Sequence, residues 1–398
     1  MKDEPTEQKL HQETLDPDDW EQIRSIGHVM LDDMFDYIRD VRERPAWQSP
    51  SEAARQAMAS PLPRSGRSIR EVYDQFKRSI LPFPTGNIHP RFWGWVMGNG
   101  TPVGMLAELL GGAMNCHVSG YDQGATLVEH QVLRWLTELM DFPAGSTGLL
   151  VSGGTVANLI GVAVARNHVL GDEVRAEGVG RSDVVLYCSE QTHGWIDRTA
   201  ELLGLGRTAI HKIPVDTDHR LQLDVLKARI ARDRSAGRQP LCVIGNAGTV
   251  ACGATDDLEA IANLAAQENL WFHVDGAFGA MAKLSPQHRH IVDGLERADS
   301  VAFDLHKWGY MQYELGVVLF RDAKAHDAAF SFNPSYLDSF RGGIALNPTE
   351  FASKGIQLSR GFRALKAWMQ LSTYGTDTIG NIIGQNIEQV AYLRRLID

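Results

Sequence analysis

The chain of 398 residues carries 49 acidic against 39 basic side chains, a formal net charge of −10. That balance, with no basic run anywhere, argues against nucleic acid as the main partner, because binding phosphates needs a surplus of Lys and Arg on some face. A hydrophobic fraction of 43% and a charged fraction of 22% are ordinary for a globular protein with a sizeable core, and no apolar window reaches the length of a membrane span, so a cytoplasmic protein with no membrane partner is expected.

Residues 1–90 read as a helical extension. Ile26, Met30, Leu31, Met34 and Ile38 recur at the spacing of one helix face, and a Pro/Ser-rich connector over 44–66 leads to a second amphipathic piece. Such a face needs a surface to lie on, either the main domain or a second subunit. Phe92, Trp93 and Trp95 come next, an aromatic cluster that either lines a pocket for an aromatic side chain or belongs to plain core.

From about 148 to 322, short β-rich runs alternate with helical segments, the signature of an α/β protein with a mostly parallel, helix-covered sheet. Seven strands are predicted, at GLLVSG, DVVLYC, TAIHKIP, PLCVIG, WFHVD, SVAFDL and GVVLF. Helices fit 155–170, 194–204, 223–237 and 255–270. The four cysteines, Cys116, Cys188, Cys242 and Cys252, form no CxxC pair, so reduced core thiols are expected rather than disulfides or metal ligands.

Parallel sheets place ligands at the carboxyl ends of their strands, and the unusual residues collect there. The first strand ends in Ser152, Gly153, Gly154 and Thr155 and runs into a helix, a start whose free N–H groups and dipole suit a phosphate. Neither GxxxxGK[ST] nor GxGxxG accompanies it, which sets aside a nucleotide-binding dehydrogenase. His193 follows a second strand end, Asp275 closes a third apolar run, and Lys307 follows a fourth, between His306 and Trp308. A phosphate cup, a histidine, a carboxylate and a lysine at four strand ends are the set that pyridoxal phosphate chemistry uses. The lysine forms a Schiff base with the aldehyde, the carboxylate keeps the ring nitrogen protonated, and the histidine stacks on the ring.

At this point the chain resembles the group II pyridoxal-phosphate-dependent amino-acid decarboxylases, on NIHPRFWGWV, LLVSGGTVANL, SEQTHGWIDRTAELLG, NAGTVACGATDDLEAIA, WFHVDGAFG, DLHKW and QLSRGFRALKAWM. The resemblance runs from about residue 70 to the end. It implies the aspartate-aminotransferase-like type I fold of pyridoxal enzymes, a homodimer with the N-terminal extension wrapped over the partner, and three parts: an extension over 1–90, a large cofactor domain over 91–325, and over 326–398 a catalytic loop and the start of a small, incomplete C-terminal domain. It also implies catalytic roles for Lys307, His193 and Asp275. Cofactor contacts would come from these three with Gly154, Thr155, Thr249, Ala277 and His306, and substrate contacts from Trp95, Gly98 and Phe351.

Three departures stand out. Gly248-Thr249-Val250 replaces Gly-Thr-Thr, Trp95-Val96-Met97-Gly98 copies neither the aromatic nor the acidic-substrate branch, and no tyrosine lies between Leu337 and Thr373, where Phe351 falls near the place of a catalytic loop tyrosine. The expected reaction is decarboxylation of an L-amino acid to an amine, an aromatic substrate being favoured because no arginine stands out as a receptor for a side-chain carboxylate. The alternatives are an aldehyde synthase, kept open by the missing tyrosine, and a non-catalytic protein of the same fold.

Overall fold

The computed structural model describes residues 14–180, 183–331, 343–345 and 350–397. The chain forms two compact units that divide between Phe92 and Trp93. In the first, α1 (Trp20–Arg39) starts on Asp19, whose carboxylate accepts the N–H groups of Glu21 and Gln22 and so satisfies donors that a helix start leaves open. Its predicted face is the one turned inward, with Ile26 buried. The short α2 (Glu52–Met58) precedes α3 (Ile69–Ser79), which opens on a capping box between Ser68 and Glu71. Tyr73 of α3 donates its hydroxyl to Asp33 of α1 at 2.7 Å.

The second unit opens with α4 (Pro102–Met114) and α5 (Gly124–Leu139). Then come β1 (Thr147–Val151), α6 (Gly154–Leu170), α7 (Val174–Glu177), β2 (Val184–Ser189), α8 (Trp195–Leu202) and β3 (Ile210–Ile213). The chain continues through α9 (Leu223–Ser235), β4 (Gln239–Asn246), α10 (Leu258–Gln267), β5 (Trp271–Asp275), β6 (Ser300–Asp304) and β7 (Gly316–Phe320). It closes with α11 (Ala323–Phe330) and α12 (Ala364–Ile397), the latter broken at Gly375, where φ is 73°.

All seven predicted strands join one sheet in the order β1-β7-β6-β5-β4-β2-β3. Only β7 runs against its neighbours, pairing antiparallel with both β1 and β6. Strands β5, β6 and β7 are buried along their whole length, as expected of a sheet covered on both faces. The predicted helix over 255–270 starts later, at Leu258. Asp256 is used elsewhere, accepting the N–H of Asn246 at 2.8 Å and of Leu221 at 2.7 Å, while Asp257 caps the helix. Helices α11 and α12 both belong to the second unit, and α12 packs on α4 and α5.

One buried ion pair ties this unit together. The guanidinium of Arg360 reaches the carboxylate of Glu129 on α5 and the carbonyls of Val118 and Leu150, at 2.6 and 2.8 Å. Both side chains are wholly out of water; such a pair is tolerated only because each charge meets a partner.

Candidate active site

The end of β1 and the start of α6 form the floor of a cavity of about 540 Å³. No side chain caps α6, so its first N–H groups stay available to an anion. The turn must be glycine. A β-carbon at Gly154 would lie 2.9 Å from Oδ2 of Asp304 and 3.2 Å from Cβ of Ala277, and one at Gly153 would lie 3.3 Å from Cε1 of His306.

Strand register brings the other groups to this floor. Asp275 ends β5 opposite Asn246 of β4 and Ala302 of β6. Its Oδ2 accepts the Trp195 indole N–H at 2.6 Å, and its Oδ1 accepts the Ala277 N–H at 3.1 Å. Two donors orient the carboxylate and leave lone pairs for a further N–H from the cavity. Below it, His273 is fully buried, and burial pushes its imidazole down to about 4. The neutral ring donates from Nε2 to Asn158 Oδ1 at 2.7 Å, and Asn158 donates to the Gly154 carbonyl at 2.8 Å. Ser300, 2.7 Å from Nδ1, accepts from the Trp271 indole N–H and gives its proton to that nitrogen. The chain of bonds links the strand holding Asp275 to the first turn of α6.

Lys307 stands on the turn after β6, 23% exposed, its Nζ 2.9 Å from Oδ2 of Asp304. The aromatic residue behind it is structural. Trp308 stacks on Phe278 at 4.6 Å and donates to Asn386 of α12 at 3.0 Å, which holds the turn still. His306 is buried, its ring 4.3 Å from that of Tyr313, and desolvation lowers its imidazole below the ordinary range.

Every cofactor contact expected from the sequence lines this one cavity: Gly154, Thr155, His193, Thr249, Asp275, Ala277, His306 and Lys307. Trp95 lines it too, and neither Trp93 nor Trp95 is core, each being more than four-fifths exposed. Gly98 does not line it. That glycine lets the backbone pass the lysine turn, since a β-carbon there would sit 1.6 Å from the His306 carbonyl oxygen. Phe351 does not line it either: it is 1% exposed, its N–H held by Ser119 O at 2.8 Å and its ring 4.9 Å from His130, in a region that borders a different cavity. The rest of the loop segment, 332–342 and 346–349, lies outside the described residues. Trp195, Asn158, His273, Asp304, Tyr313 and Glu314 were not singled out by the sequence reading. Asp304 carried the signal that exposed Asp275, a carboxylate closing an apolar strand.

The glycine cradle, the doubly bonded carboxylate and the lysine fit pyridoxal phosphate, and with the sheet order they define an α/β enzyme of the pyridoxal-phosphate class. The profile of the pyridoxal-dependent decarboxylase conserved domain matches residues 51–398. An aromatic-L-amino-acid decarboxylase of Bacillus atrophaeus is 33% identical over 385 residues, 95% of this chain and 78% of the relative. A phenylacetaldehyde synthase of Arabidopsis thaliana is 28% identical, over 96% and 80% of the two chains. The crystal structure of Oryza sativa TDC with PLP and tryptamine superposes with a TM-score of 0.83 at 25% identity, covering 92% of this chain and 77% of that one. The chain belongs to the pyridoxal-dependent decarboxylase family and is a carboxy-lyase that uses pyridoxal phosphate.

Proposed function

We propose that the enzyme decarboxylates an aromatic L-amino acid to its amine, with Lys307 linked to the cofactor aldehyde, Asp275 facing the ring nitrogen and His193 covering the ring. The phosphate rests on Gly154 and Thr155 beside His306. When bound, pyridoxal phosphate supplies the aldehyde and a protonated ring that takes up the electron pair left as carbon dioxide departs. The chain's own residues hold the reacting carbon over that ring: Lys307 and Asp275 fix the two ends, and the hydrogen-bonded His273–Asn158 pair steadies the floor.

The observation that carries the substrate class is the charge of the wall. Among the described residues lining the cavity there is no arginine, and the one lysine is Lys307, whereas Glu314 adds a carboxylate and Trp95, Val96, Met97, Val250 and Phe278 add apolar surface. A substrate with an acidic side chain would meet no cation beyond Lys307, which the cofactor engages, and would meet the like charge of Glu314, a desolvation cost that an indole or phenol avoids. Aromatic amino acids such as tryptophan and tyrosine should therefore release carbon dioxide at least about 100-fold faster, in kcat/KM, than glutamate or cysteine sulfinate, a gap of about 2.7 kcal/mol. Preference for an acidic substrate in that screen would overturn the reading. Decarboxylation to the amine is the main outcome proposed, so one amine per carbon dioxide is expected under air. Stoichiometric hydrogen peroxide and aldehyde would instead make the oxidative reaction the principal one.

A homodimer in the cytoplasm completes the proposal. Leu109, Leu110 and Met114 stand exposed on α4, and Trp95 stands exposed at the cavity wall, apolar surface of the kind a second subunit covers. Buried, unpaired Cys188 and Cys242 suit a reducing compartment. Light scattering should return twice the 44.0 kDa chain mass; a monomer at assay concentration would contradict it.

A further inference from the structure

We infer that Asn246 is a positioning residue for His193: its side-chain amide, bonded to the Thr192 hydroxyl, sets where the imidazole stands over the cofactor ring. The inference rests on the reading of His193 as the residue that covers that ring.

His193 has little to hold it directly. It is exposed to the cavity, and among the described residues its side chain makes one hydrogen bond, Nδ1 accepting the Trp195 N–H at 3.2 Å. The place of the ring is therefore set by what anchors the chain on either side. On the far side the anchor is α8. Its Ile196 N–H donates to the His193 carbonyl at 3.3 Å, and its Trp195 indole donates to Asp275 Oδ2 at 2.6 Å. On the near side it is Thr192, whose N–H donates to the Ser189 carbonyl at 3.1 Å and whose Oγ1 accepts from Asn246 Nδ2 at 3.1 Å. The same nitrogen lies 3.3 Å from Ser189 Oγ at the end of β2.

The amide is itself held in one orientation. Asn246 ends β4 opposite Asp275 of β5, and both its backbone N–H and its Nδ2 donate to Asp256 Oδ2, at 2.8 and 2.9 Å. Asp256 Oδ1 accepts the Leu221 N–H at 2.7 Å. A carboxylate only accepts, so the NH₂ end of the amide turns to Asp256, and the same NH₂ reaches Thr192. The bonds close a circuit: Asn246 to Thr192, along the chain to His193 and Trp195, across to Asp275, and back through the strand register to Asn246. Asn246, Thr192, Asp256, Trp195 and Asp275 are all buried, where a hydrogen bond is stronger than in water and a lost partner costs more. Opening the circuit at Thr192 leaves His193 anchored from α8 alone.

Thr192 is the place to test this, because Asn246 and His193 line the cavity and Thr192 does not. Thr192→Val removes the hydroxyl and keeps the shape, while Asn246 keeps its bonds to Asp256. The holoenzyme variant should turn over about tenfold more slowly in kcat, the scale of a small misplacement near the reacting atoms, with an altered visible circular dichroism of the bound cofactor. Thr192→Ser keeps the hydroxyl and should stay within about threefold of wild type. In a His193→Ala background, Thr192→Val should change kcat by less than about twofold, since the two substitutions remove the same interaction. Combining Thr192→Val with Asn246→Ala should likewise cost no more than the worse single change, and if Asn246→Ala does not fold, the Thr192 series decides alone.

Three results would overturn the inference: Thr192→Val at the wild-type rate, Thr192→Ser as slow as Thr192→Val, or a tenfold loss that persists without His193, which would make the link merely structural. A His193→Ala enzyme with wild-type rate and cofactor spectrum is a separate result. It removes the reading of His193 as the ring cover, and the inference falls with it.

Discussion

Lys307→Ala should purify without the covalently held yellow cofactor and should release carbon dioxide at least about 10²–10⁴-fold more slowly than wild type, the range for losing a positioned acid-base group. The lysine does two things that no neighbour can take over. It offers an amine 2.9 Å from a buried carboxylate at the mouth of the glycine cradle, and it stands on a turn that the Trp308 indole pins to Asn386. Among the described residues lining the cavity there is no second lysine, so an added amine has to come from solution. Thermal unfolding of the variant, followed by circular dichroism, separates lost chemistry from lost structure. A variant that kept a borohydride-reducible cofactor would show that the lysine has been assigned wrongly.

Asp275→Asn is the second large effect, expected at about 10²–10³-fold in kcat, as for removing one preorganised electrostatic group. The carboxylate accepts from Trp195 and from the Ala277 N–H and has acceptor capacity left for a ring N–H. An amide has one oxygen, so its NH₂ end must face a donor, either the indole or the ring, and the arrangement loses both charge and fit. Because Asp275 lies at the strand end rather than inside the apolar core, the variant should fold. Rates within a few-fold of wild type would make the carboxylate a structural hydrogen-bonding group and nothing more.

How much of this was legible without coordinates depended on whether the signal was local. A carboxylate, a lysine or a glycine pair closing an apolar run is visible in one dimension, so Asp275, Lys307 and Gly153–Gly154 could be picked out and assigned to one crevice. Trp195, Asn158 and His273 could not, because their roles exist only once β5 lies beside α6 and α8, and a histidine inside a strand reads as ordinary core. Asp304 should have been found, since it closes SVAFD as Asp275 closes WFHVD. The antiparallel course of β7 was hidden because an apolar run has no direction; the tight turn over 305–315 with no crossover helix sets it. Phe351 was placed by its distance along the chain alone. The Ser119 carbonyl and the Arg360 guanidinium 5.2 Å above its ring fix it elsewhere. Helix α4 had a readable start, Thr101 followed by Pro102, which the search for strand ends passed over.

The measurement that bears most directly on the central claim is the position of the cofactor bond. The protein with pyridoxal phosphate is reduced with borohydride, digested and mapped by mass spectrometry. A single pyridoxyl-phosphate adduct on the peptide carrying Lys307 is the result this account predicts. An adduct on any other lysine, or none with Lys307 unmodified, would contradict it.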